Sequence, residues 1–396
     1  MSLNDTPAAG RLHIGFFGRR NAGKSSLVNA ITDQDLAVVS DVRGTTTDPV
    51  SKSMELLPLG PVQIIDTPGF DDVGALGALR VEKTRQILRK TDLAVLVADA
   101  TQPLQAEDRQ LLALFRERKI PYLIAYNKCD LLPDCPIPRE GEIYVSALRG
   151  LNITQCKQLL GQFAPRGKQI RLVGDLISSG DTVVLVTPID ESAPKGRMIL
   201  PQQQAIRDIL DAGAAALVTQ PDQLLGLLAG LRTPPRLIIT DSQAFAEVAA
   251  MLPAEMPLTS FSILMARYKG YLSGAVAGAA VLDRLQDGDR ILMAEGCTHH
   301  RQCNDIGTVK IPNWLRQHTG KHLEIATCSG GDFPQDLTPY AVIIHCGGCM
   351  LNDREIAFRQ QQAAQQGVPF TNYGVTVAKM KGILARSLAP LAEIGE

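Results

Sequence analysis

The sequence feature that most constrains the fold is a glycine-rich loop between an apolar strand and a helix. His13–Phe17 is a short apolar run that leads into Gly18–Ser25, which reads G-x-x-x-x-G-K-S before a helical pattern continues to Thr32. Its glycines let backbone amides close around phosphate oxygens, while the lysine and serine supply a cation and a Mg²⁺ ligand. We therefore predict a P-loop domain that binds a nucleoside triphosphate. The residues expected at its phosphates and metal are Gly18, Asn21, Ala22, Gly23, Lys24, Ser25 and Ser26.

Two further motifs belong to the hydrolysis site. An Asp-Thr-Pro-Gly motif follows the next apolar strand. In it, Asp66 is expected to hold Mg²⁺ through a water molecule and the Gly69 amide to meet the γ-phosphate. A Gly-Thr-Thr-Thr-Asp segment lies where a switch region belongs, and Thr46 is expected to complete the Mg²⁺ shell, with Thr45 as the alternative. The predicted catalytic residues are Lys24, Thr46, Asp66 and Gly69.

Two later motifs select guanine as the base. An Asn-Lys-Cys-Asp motif follows an apolar strand, and the Asp130 carboxylate can accept hydrogen bonds from both N1–H and N2–H of guanine, a donor pair that adenine lacks. Asn127 is expected to brace the loop, and the stem of Lys128 to cover the base. After the next strand, a backbone amide at Ser146 or Ala147 is expected to meet guanine O6. The predicted ligands are therefore GTP or GDP with Mg²⁺.

The hydrolysis site departs from that of Ras-type proteins. Phe70 stands where those proteins place a glutamine that orients water, and no arginine finger is evident, although Arg19, Arg20 and Arg43 are nearby. The side-chain oxygen of Asn21 is placed where it can hold a monovalent cation. This arrangement resembles the potassium-stimulated GTPases of the tRNA-modifying MnmE group, which implies that K⁺ supplies the charge an arginine supplies elsewhere. We expect a slow, K⁺-stimulated GTPase.

Cysteines and histidines form a second candidate site. Cys297-Thr298-His299 closes one apolar run, and a His-Cys-Gly-Gly-Cys segment closes another. Cys-x-x-Cys places Cys346 and Cys349 on one turn, so that with Cys297 they can hold zinc or three irons of a [4Fe–4S] cluster. His299 and His345 are candidates for a fourth ligand. The surrounding pattern predicts a regular apolar core that needs no zinc staple, which favours a cluster with an exchangeable position.

The other cysteines show no comparable spacing. Cys303 is near enough in sequence to be an alternative fourth ligand. The remaining four are expected to be structural, namely Cys129, Cys135, Cys156 and Cys328.

Composition indicates an ordinary globular protein. The chain has 396 residues, is 45% hydrophobic and 20% charged, and carries a net charge of −1, so we expect no nucleic-acid partner. We read neither a signal peptide nor an uncharged apolar segment long enough to span a membrane. A cytoplasmic protein with reduced cysteines and no membrane partner is expected.

Alternating strands and helices follow a linker at Ala164–Gly167. We predict an α/β fold in which a P-loop GTPase domain is followed by two further parallel α/β domains, the last carrying an iron-sulfur cluster. The expected boundaries are 1–166 for the GTPase domain, 167–262 for an α/β dimerisation domain and 263–396 for the cluster-binding domain. Apolar helices at Leu224–Leu231 and Phe245–Met251 make the middle domain a candidate association surface.

The chain resembles the HydF family of [FeFe]-hydrogenase maturation GTPases, because it combines a GTPase domain, an α/β middle domain and a C-x-H…H-C-x-x-C pattern. Further segments carry the likeness: Pro188–Asp190, Ala193–Arg197, Leu200–Gln202, Ala266–Gly270 and Cys297–His300. The resemblance implies a homodimeric scaffold that holds a [4Fe–4S] cluster through three cysteines, Cys297, Cys346 and Cys349. It also implies that the scaffold receives a transient diiron precursor from two radical-SAM maturases and delivers it to apo-[FeFe]-hydrogenase. GTP hydrolysis would regulate partner exchange rather than drive the chemistry.

The fourth cluster ligand stays open. Some members of the family use an acidic residue immediately before Asp-Ile-Gly, but here that position is Asn304. This departure leaves His299, His345, Cys303 or Asp305. Two other functions are also open: a K⁺-stimulated GTPase of ribosome assembly or tRNA modification with a structural zinc, and a redox-sensing regulator that uses GTP. Against the first, no basic RNA-binding face or KH-like Gly-x-x-Gly segment is evident.

Overall fold

The computed structural model describes residues 8–33, 50–67, 75–165, 170–189, 198–296 and 305–392. The chain forms two compact units, Met1–Gly167 and Lys168–Glu396, each with its own core. In the described ranges, no helix is both long enough and apolar enough to cross a membrane. The predicted boundary at 166 lies beside the division between the units.

The first unit contains one six-stranded sheet with the order β2-β3-β1-β4-β5-β6, in which β2 alone runs antiparallel to its neighbour. Its strands are β1 (Leu12–Phe17), β2 (Val50–Leu56), β3 (Gly60–Asp66), β4 (Leu93–Asp99), β5 (Tyr122–Asn127) and β6 (Glu142–Tyr144). Its helices are α1 (Lys24–Thr32), α2 (Ala75–Lys90), α3 (Ala106–Glu117) and α4 (Ile153–Phe163).

Both faces of the central strands β1, β3, β4 and β5 are covered, which explains why these strands are mostly apolar, whereas the edge strand β2 carries polar residues. Successive side chains of β1 enter opposite cores: Phe16 packs with residues of α1 and α4, and Phe17 packs with Phe115 of α3. The carboxyl ends of β1, β3, β4, β5 and β6 share one edge of the sheet. The glycine loop and the motifs that begin at Asp66, Asn127 and Ser146 lie where these strands end.

The second unit contains two parallel four-stranded sheets, with the orders β10-β9-β7-β8 and β12-β11-β13-β14. Its strands are β7 (Thr182–Val186), β8 (Ala215–Thr219), β9 (Leu237–Thr240), β10 (Leu258–Ser260), β11 (Arg290–Glu295), β12 (Glu324–Ser329), β13 (Val342–His345) and β14 (Phe370–Asn372). Its helices are α5 (Leu200–Asp211), α6 (Leu224–Ala229), α7 (Phe245–Met251), α8 (Phe261–Tyr268), α9 (Leu272–Ala279), α10 (Ile311–Thr319), α11 (Asp353–Gln365), α12 (Tyr373–Met380) and α13 (Leu384–Ala392). Parallel α/β organisation after the GTPase fold was the predicted fold class, and it is confirmed.

Helix α8 packs against both sheets of the second unit. Phe261 and Met265 contribute to the core that contains β7 and β9, whereas Ile263 and Ala266 contribute to the core that contains β11 and β13. A helix buried on two sides must be apolar around most of its circumference. The domain boundary predicted at 262 falls at the start of this helix.

The run of apolar and small residues over Ser262–Gln286 predicts one long helix, and this prediction is wrong. The structure ends α8 at Tyr268, starts α9 at Leu272 and continues with a 3₁₀ turn from Ala280 to Arg284. Gly270 lies between the two helices at φ 80°, a left-handed conformation that glycine adopts without steric cost. The run of small residues after Gly270 therefore belongs to a separate helix.

Candidate functional site

The phosphate loop is shaped by glycines at its two ends. Gly18 leaves β1 at φ 147°, where a Cβ would overlap the Val97 carbonyl, and Gly23 precedes α1 at φ 85°, where a Cβ would overlap the side-chain amide of Asn127. Larger residues would push the loop away from β4 and β5. The backbone amides at the start of α1 are thereby directed at the position expected for the phosphates.

Lys24 is buried at the start of α1. Its Nζ donates to the carbonyls of Gly18, at 3.0 Å, and Arg19, at 2.8 Å. These two acceptors lie within the loop that would surround the phosphates, so the ammonium is held at that loop. Ser26, in the first turn of α1, is half-buried. The predicted phosphate-binding residues of the loop are therefore brought together.

Ser25 and Asp66 meet at the edge between β1 and β3. The Ser25 hydroxyl donates to Asp66 Oδ2 at 2.7 Å, and Oδ1 of the buried carboxyl has no hydrogen-bond partner among the described residues. Burial raises the pKa of Asp66 above its ordinary value. A hydroxyl beside an unsatisfied carboxylate oxygen suits a water-shelled Mg²⁺. Thr45, Thr46 and Gly69 lie outside the described residues.

Asn127 connects the base loop to the phosphate loop. Its Nδ2 donates to the Ala22 carbonyl at 3.1 Å, and its Oδ1 accepts from the Ala147 amide at 3.0 Å. This matches the bracing role predicted from sequence. The Ser146 amide donates to Leu151 O at 3.2 Å, so both amides proposed for guanine O6 are already donors within the protein. Contact with O6 requires one of them to share its proton or to exchange its acceptor.

Lys128 follows β5 and precedes the 3₁₀ turn Cys129–Leu131, which contains Asp130. Lys128 Nζ donates to Asp99 Oδ2 at 2.6 Å. Burial, the largest single cause, would raise the pKa of Asp99, but the hydrogen bonds from Lys128 and Thr101 and the charge of Lys128 together outweigh it, so the pKa lies below its ordinary value. Asp130 is half-buried in the 3₁₀ turn that follows. The side chain of Lys128 is thereby fixed by Asp99, at the edge where β4 and β5 end.

Two other residues of the phosphate loop, Arg19 and Asn21, differ in how far their side chains are held by neighbouring residues. Asn21 is exposed and has φ 61°. Arg19 is held by Asp108 of α3, at 3.2 Å, and by Gln102, also at 3.2 Å. In this arrangement the Arg19 guanidinium is committed to α3, whereas the Asn21 side chain stays accessible for the cation predicted there.

The thiol site lies at the carboxyl ends of two neighbouring parallel strands. Ala294 of β11 is opposite His345 of β13, and the Gly296 amide donates to Cys346 Sγ at 3.1 Å. A Cβ at Gly296 would lie 3.5 Å from the Gly348 Cα. The residue immediately before Cys297 is therefore in contact with the Cys-x-x-Cys turn. This is the convergence expected from the sequence, although Cys297, His299 and Cys303 lie outside the described residues.

The two described thiols are only partly accessible. Burial raises the pKa of Cys346 against the opposing hydrogen bonds from Gly296 and Gly348, and burial next to Cys346 raises the pKa of Cys349 to about 12. Both are therefore neutral thiols near pH 7, and a bound metal would have to displace their protons. Within the described ranges, no group of three or more His, Cys, Asp or Glu side chains is close enough to hold a metal ion.

His345 lies behind the turn. It is fully buried; its Nδ1 is 2.7 Å from the Cys346 carbonyl, and its Nε2 is 3.0 Å from Nη1 of Arg359. Burial, helped by the Arg359 charge, lowers the pKa of His345 to about 3, so the ring is neutral, donating from Nδ1 and accepting at Nε2. This geometry disfavours His345 as a fourth ligand, because iron would have to displace Arg359.

Two buried cations near this turn were not singled out from the sequence. Arg359 of α11 is fully buried, and its Nε donates to Glu355 at 3.0 Å. Lys269, at the end of α8, donates to the Leu351 carbonyl at 2.7 Å and lies 3.4 Å from an oxygen of Asp353. Glu355 and Arg359 are four residues apart, a spacing that usually indicates an exposed helix pair. The segment containing Lys269 was noted only for its family likeness.

Asp305, one of the open fourth-ligand candidates, is a capping residue. Its Oδ2 accepts from the amides of Gly307, at 3.0 Å, and Thr308, at 2.8 Å, at the start of the π-helical turn before α10. One carboxylate oxygen is thus committed to the backbone. A role in binding iron would fall to its other oxygen.

Comparison with known proteins divides the chain into three matched segments. The 50S ribosome-binding GTPase family matches residues 13–128, the hydrogen maturase F dimerization domain matches 172–270, and the hydrogen maturase F tetramerization domain matches 273–390. The GTPase domain predicted from sequence is thereby confirmed. The two maturase models together match more than half of the chain.

Curated relatives are similar mainly to the GTPase part. The tRNA modification GTPase MnmE of Streptococcus pneumoniae serotype 2 (strain D39) is 30% identical over 233 residues, which covers 56% of this chain and 48% of that protein. MnmE of Heliobacterium modesticaldum is 34% identical over 179 residues, covering 39% and 37%. The chain thus spans about half the length, or less, of these relatives.

Among solved structures, an Aquifex aeolicus Era variant bound to GDP and AlF4⁻ is 17% identical. The match covers 60% of this chain and 97% of that one with a TM-score of 0.35.

Proposed function

Because this chain belongs to the hydrogen maturase F family, we propose that it is a GTP-binding scaffold that receives a diiron precursor and delivers it to apo-[FeFe]-hydrogenase. One observation carries the proposal: a GTPase domain shares a chain with a Cys-x-x-Cys turn that is hydrogen-bonded to the residue before Cys297. The proposed partners are a second copy of the chain, two radical-SAM maturases and the apo-hydrogenase. The proposed location is the cytoplasm, without nucleic-acid or membrane partners.

The proposed cluster ligands are Cys297, Cys346 and Cys349. With three thiolates, a [4Fe–4S] cluster keeps one iron open to an exchangeable ligand. The amides of Gly296 and Gly348 already donate to Cys346 Sγ, at 3.1 and 3.4 Å, and such hydrogen bonds stabilise negative charge on sulfur. The proposed candidates for the fourth position are His299, Cys303 and Asp305.

Two buried cations support this turn from behind. Lys269 fixes the carbonyl of Leu351, two residues after Cys349. Arg359 fixes the ring of His345, whose Nδ1–H donates to the carbonyl of Cys346. Both ligating residues of the turn therefore have a charged residue that sets the position of nearby backbone, and both charges favour an anionic cluster.

The nucleotide site is proposed to act as a slow switch. Lys24 would bind the β- and γ-phosphates, and Ser25, Asp66 and Thr46 would hold Mg²⁺, with Thr45 as the alternative threonine. The Gly69 amide would contact the γ-phosphate. Asn21 would hold K⁺, and Arg19 is unsuited to replace that charge because Asp108 and Gln102 bind its guanidinium. Hydrolysis would time the exchange of partners rather than supply chemistry.

The matched domains support oligomerization, and the β8 edge of the β10-β9-β7-β8 sheet in the second unit offers a route to a dimer. Among the described residues, strand β8 pairs on one side only, with β7, and its Ala215 and Val218 are exposed. An apolar, unpaired strand edge is a template for a second strand. We propose that two copies of β8 pair across a twofold axis in the homodimer.

Anaerobic reconstitution with iron and sulfide, followed by EPR of the reduced protein, tests the scaffold. About four irons per chain and a cluster signal are expected, with both lost in Cys346→Ser and Cys349→Ser while GTP hydrolysis persists. Stoichiometric zinc binding without a cluster signal would instead favour a structural zinc in a GTPase of ribosome assembly or tRNA modification. A rate in Na⁺ equal to that in K⁺ would remove the cation from the proposal.

A further inference from the structure

The chain enters the second unit through a short entry segment, Arg171–Leu176, that follows the linker after α4. Its apolar side chains are buried in the core that contains β7 and β9, namely Leu172, Val173 and Leu176. Its backbone is held as well, because Oδ2 of Asp208 accepts hydrogen bonds from the amides of Val173, at 2.7 Å, and Gly174, at 2.8 Å. The entry segment therefore has a defined position within the second unit.

An ion pair joins the entry segment to the last turn of α8. Nη1 and Nη2 of Arg267 donate to the two carboxylate oxygens of Asp175, at 3.0 and 2.6 Å, and Nη1 also donates to the Arg171 carbonyl at 3.2 Å. The side chains of Arg267 and Asp175 are only 14% and 23% exposed. A bidentate pair fixes direction as well as distance, so the entry segment and the end of α8 are held firmly against each other.

The same helix end holds the thiol turn. Lys269 is only 2% exposed, and its Nζ donates to the Leu351 carbonyl at 2.7 Å. Cys349 packs against the core that contains the entry segment, and a Cβ at Gly347 would lie 3.8 Å from the Cβ of Met265 in α8. One helix therefore contacts both the segment that arrives from the GTPase unit and the Cys-x-x-Cys turn.

The spacing of the two cations suits them to hold different partners. Residues two apart on an α-helix point about 200° apart around its axis, so Arg267 and Lys269 reach opposite sides of α8. Gly270 follows at φ 80°, and α8 ends there. The segment Ala266–Gly270, noted from sequence only for its family likeness, thus contains both contacts.

Within the GTPase unit, helix α4 connects the base-binding loop to the linker. The loop that contains Ala147, whose amide donates to Asn127 Oδ1 at 3.0 Å, leads into α4 at Ile153. Asn152, the residue before α4, donates through Nδ2 to the Tyr144 carbonyl at 2.8 Å, so the start of the helix is attached to β6. A helix is a rigid element, so a shift of the base-binding loop would be carried by α4 to the linker that follows it.

We propose that the end of α8 couples the nucleotide state of the GTPase unit to the Cys346–Cys349 turn. Arg267 is the positioning residue on the linker side, and Lys269 is the positioning residue on the thiol side. A change of nucleotide would displace the entry segment, and the Arg267–Asp175 pair would pass that displacement to α8. Lys269 would then pass it to the turn that holds the cluster. The inference rests on the proposed function, because it requires both a bound nucleotide and a bound cluster.

The experiment uses the full chain, reconstituted anaerobically with iron and sulfide, and measures the rate of iron release to bathophenanthroline disulfonate. The rate is measured with Mg²⁺ and either GDP or a GTP analogue in which an imide replaces the β–γ bridging oxygen. In the wild-type protein the two rates should differ about fivefold or more. In Arg267→Met and in Asp175→Asn the ratio of the rates should fall to about one, because the two nucleotides then no longer differ in their effect on the turn. GTP hydrolysis, iron content and the EPR signal should persist in both variants.

Arg386→Met is the matched control. Arg386 is another partly buried arginine of the second unit, but it donates to carbonyls at the end of α7, those of Ala249, at 3.0 Å, and Met256, at 3.3 Å. Its loss should lower stability and leave the ratio of the release rates as in the wild-type protein. Arg267→Lys keeps the charge without the bidentate geometry and should give an intermediate ratio.

Three results would overturn the coupling while leaving the GTPase and cluster proposals intact. They are equal release rates with both nucleotides in the wild-type protein, an unchanged ratio in Arg267→Met, and an equal loss of the ratio in Arg386→Met. If Arg267→Met does not fold, an unchanged ratio in Asp175→Asn decides against the coupling in the same way. A wild-type protein that forms no cluster, or that does not bind GDP, would refute the inference together with the proposed function.

Discussion

The two candidate sites occupy equivalent places, at the carboxyl ends of parallel strands, but they are held in different ways. At the nucleotide edge the residues that would touch the ligand hold one another: Ser25 donates to Asp66, and Asn127 donates to the loop at Ala22. At the thiol edge, buried charges behind the turn hold it in place. Arg359 acts through His345, and Lys269 acts through Leu351. Substitution at the first edge should therefore affect ligand binding, and substitution behind the second should affect folding.

Arg359→Met should have the largest effect on folding stability. It removes a fully buried cation and leaves Glu355 buried without its partner, which costs about 3–5 kcal/mol of folding free energy. The measurement is urea unfolding followed by the fluorescence of Trp314, the only tryptophan of the chain, which lies in the second unit. Hydrolysis by the first unit should be unchanged in the absence of urea.

Two variants control this experiment. Arg207→Met removes an arginine with the same spacing of four residues from its carboxylate, but on an exposed helix face, and should give no measurable change. Glu355→Gln combined with Arg359→Met should recover part of the loss, because no unpaired charge is then buried. Equal destabilisation by the Arg207 and Arg359 substitutions would mean that burial is not what distinguishes the thiol edge.

Lys24→Ala should act at the other edge and on ligand binding. Losing the ammonium that would neutralise the phosphates should lower GTP turnover about 100-fold, equivalent to about 2.7 kcal/mol. The Trp314 unfolding curve and the reconstituted EPR signal should not change. A parallel loss of the cluster signal would show that the second unit depends on the Lys24 side chain, contrary to the comparison.

In the described residues, the meeting of the glycine loop with Asp66 and Asn127 was predictable from sequence, because each of these motifs follows its own strand and the strands of a parallel sheet end together. At the thiol edge the same rule predicted that the segment before Cys297 and the Cys346 turn converge. It did not predict what lies behind the turn. Glu355 and Arg359 have the spacing of a solvated helix pair, and local spacing carries no information on which face tertiary packing will bury.

The same limit applies to the surroundings of His345. A histidine next to a Cys-x-x-Cys motif has the right chemistry for a ligand, but the pleat of β13 turns it to the face covered by α11, where Arg359 reaches its ring.

Lys269→Met tests whether the second buried cation at the thiol edge supports the Cys-x-x-Cys turn. It removes a buried charged donor from the Leu351 carbonyl, which should cost about 2 kcal/mol and lower iron retention during gel filtration. Lys269→Arg should retain more iron than the methionine variant because the charge is kept. Lys379→Met, which breaks a 2.6 Å surface pair with Asp283, should leave iron content unchanged. Equal iron loss in the Lys269 and Lys379 variants would contradict the supporting role.

Asp66→Asn should have the smallest effect on folding stability, and it should stabilise the first unit rather than destabilise it. Burial raises the pKa of Asp66, so the folded state binds its proton more tightly than the unfolded state does. The resulting stability is fully present below the ordinary pKa of 3.8 and is lost as the pH rises through the folded value. At pH 7 the ionised carboxylate therefore destabilises the first unit, and a neutral amide of the same shape should relieve this.

We expect Asp66→Asn to slow hydrogen exchange in β1 and β3 by an amount equivalent to about 1 kcal/mol, while Mg²⁺-dependent GDP affinity falls. The gain should shrink as the pH is lowered from 7 towards 4, since the wild-type carboxyl then becomes neutral too. Slower exchange at every pH would point to better packing rather than to the charge. Faster exchange would mean that the Ser25–Asp66 hydrogen bond outweighs the cost of burying the carboxylate, so that this edge, like the thiol edge, would be stabilised by its buried charge.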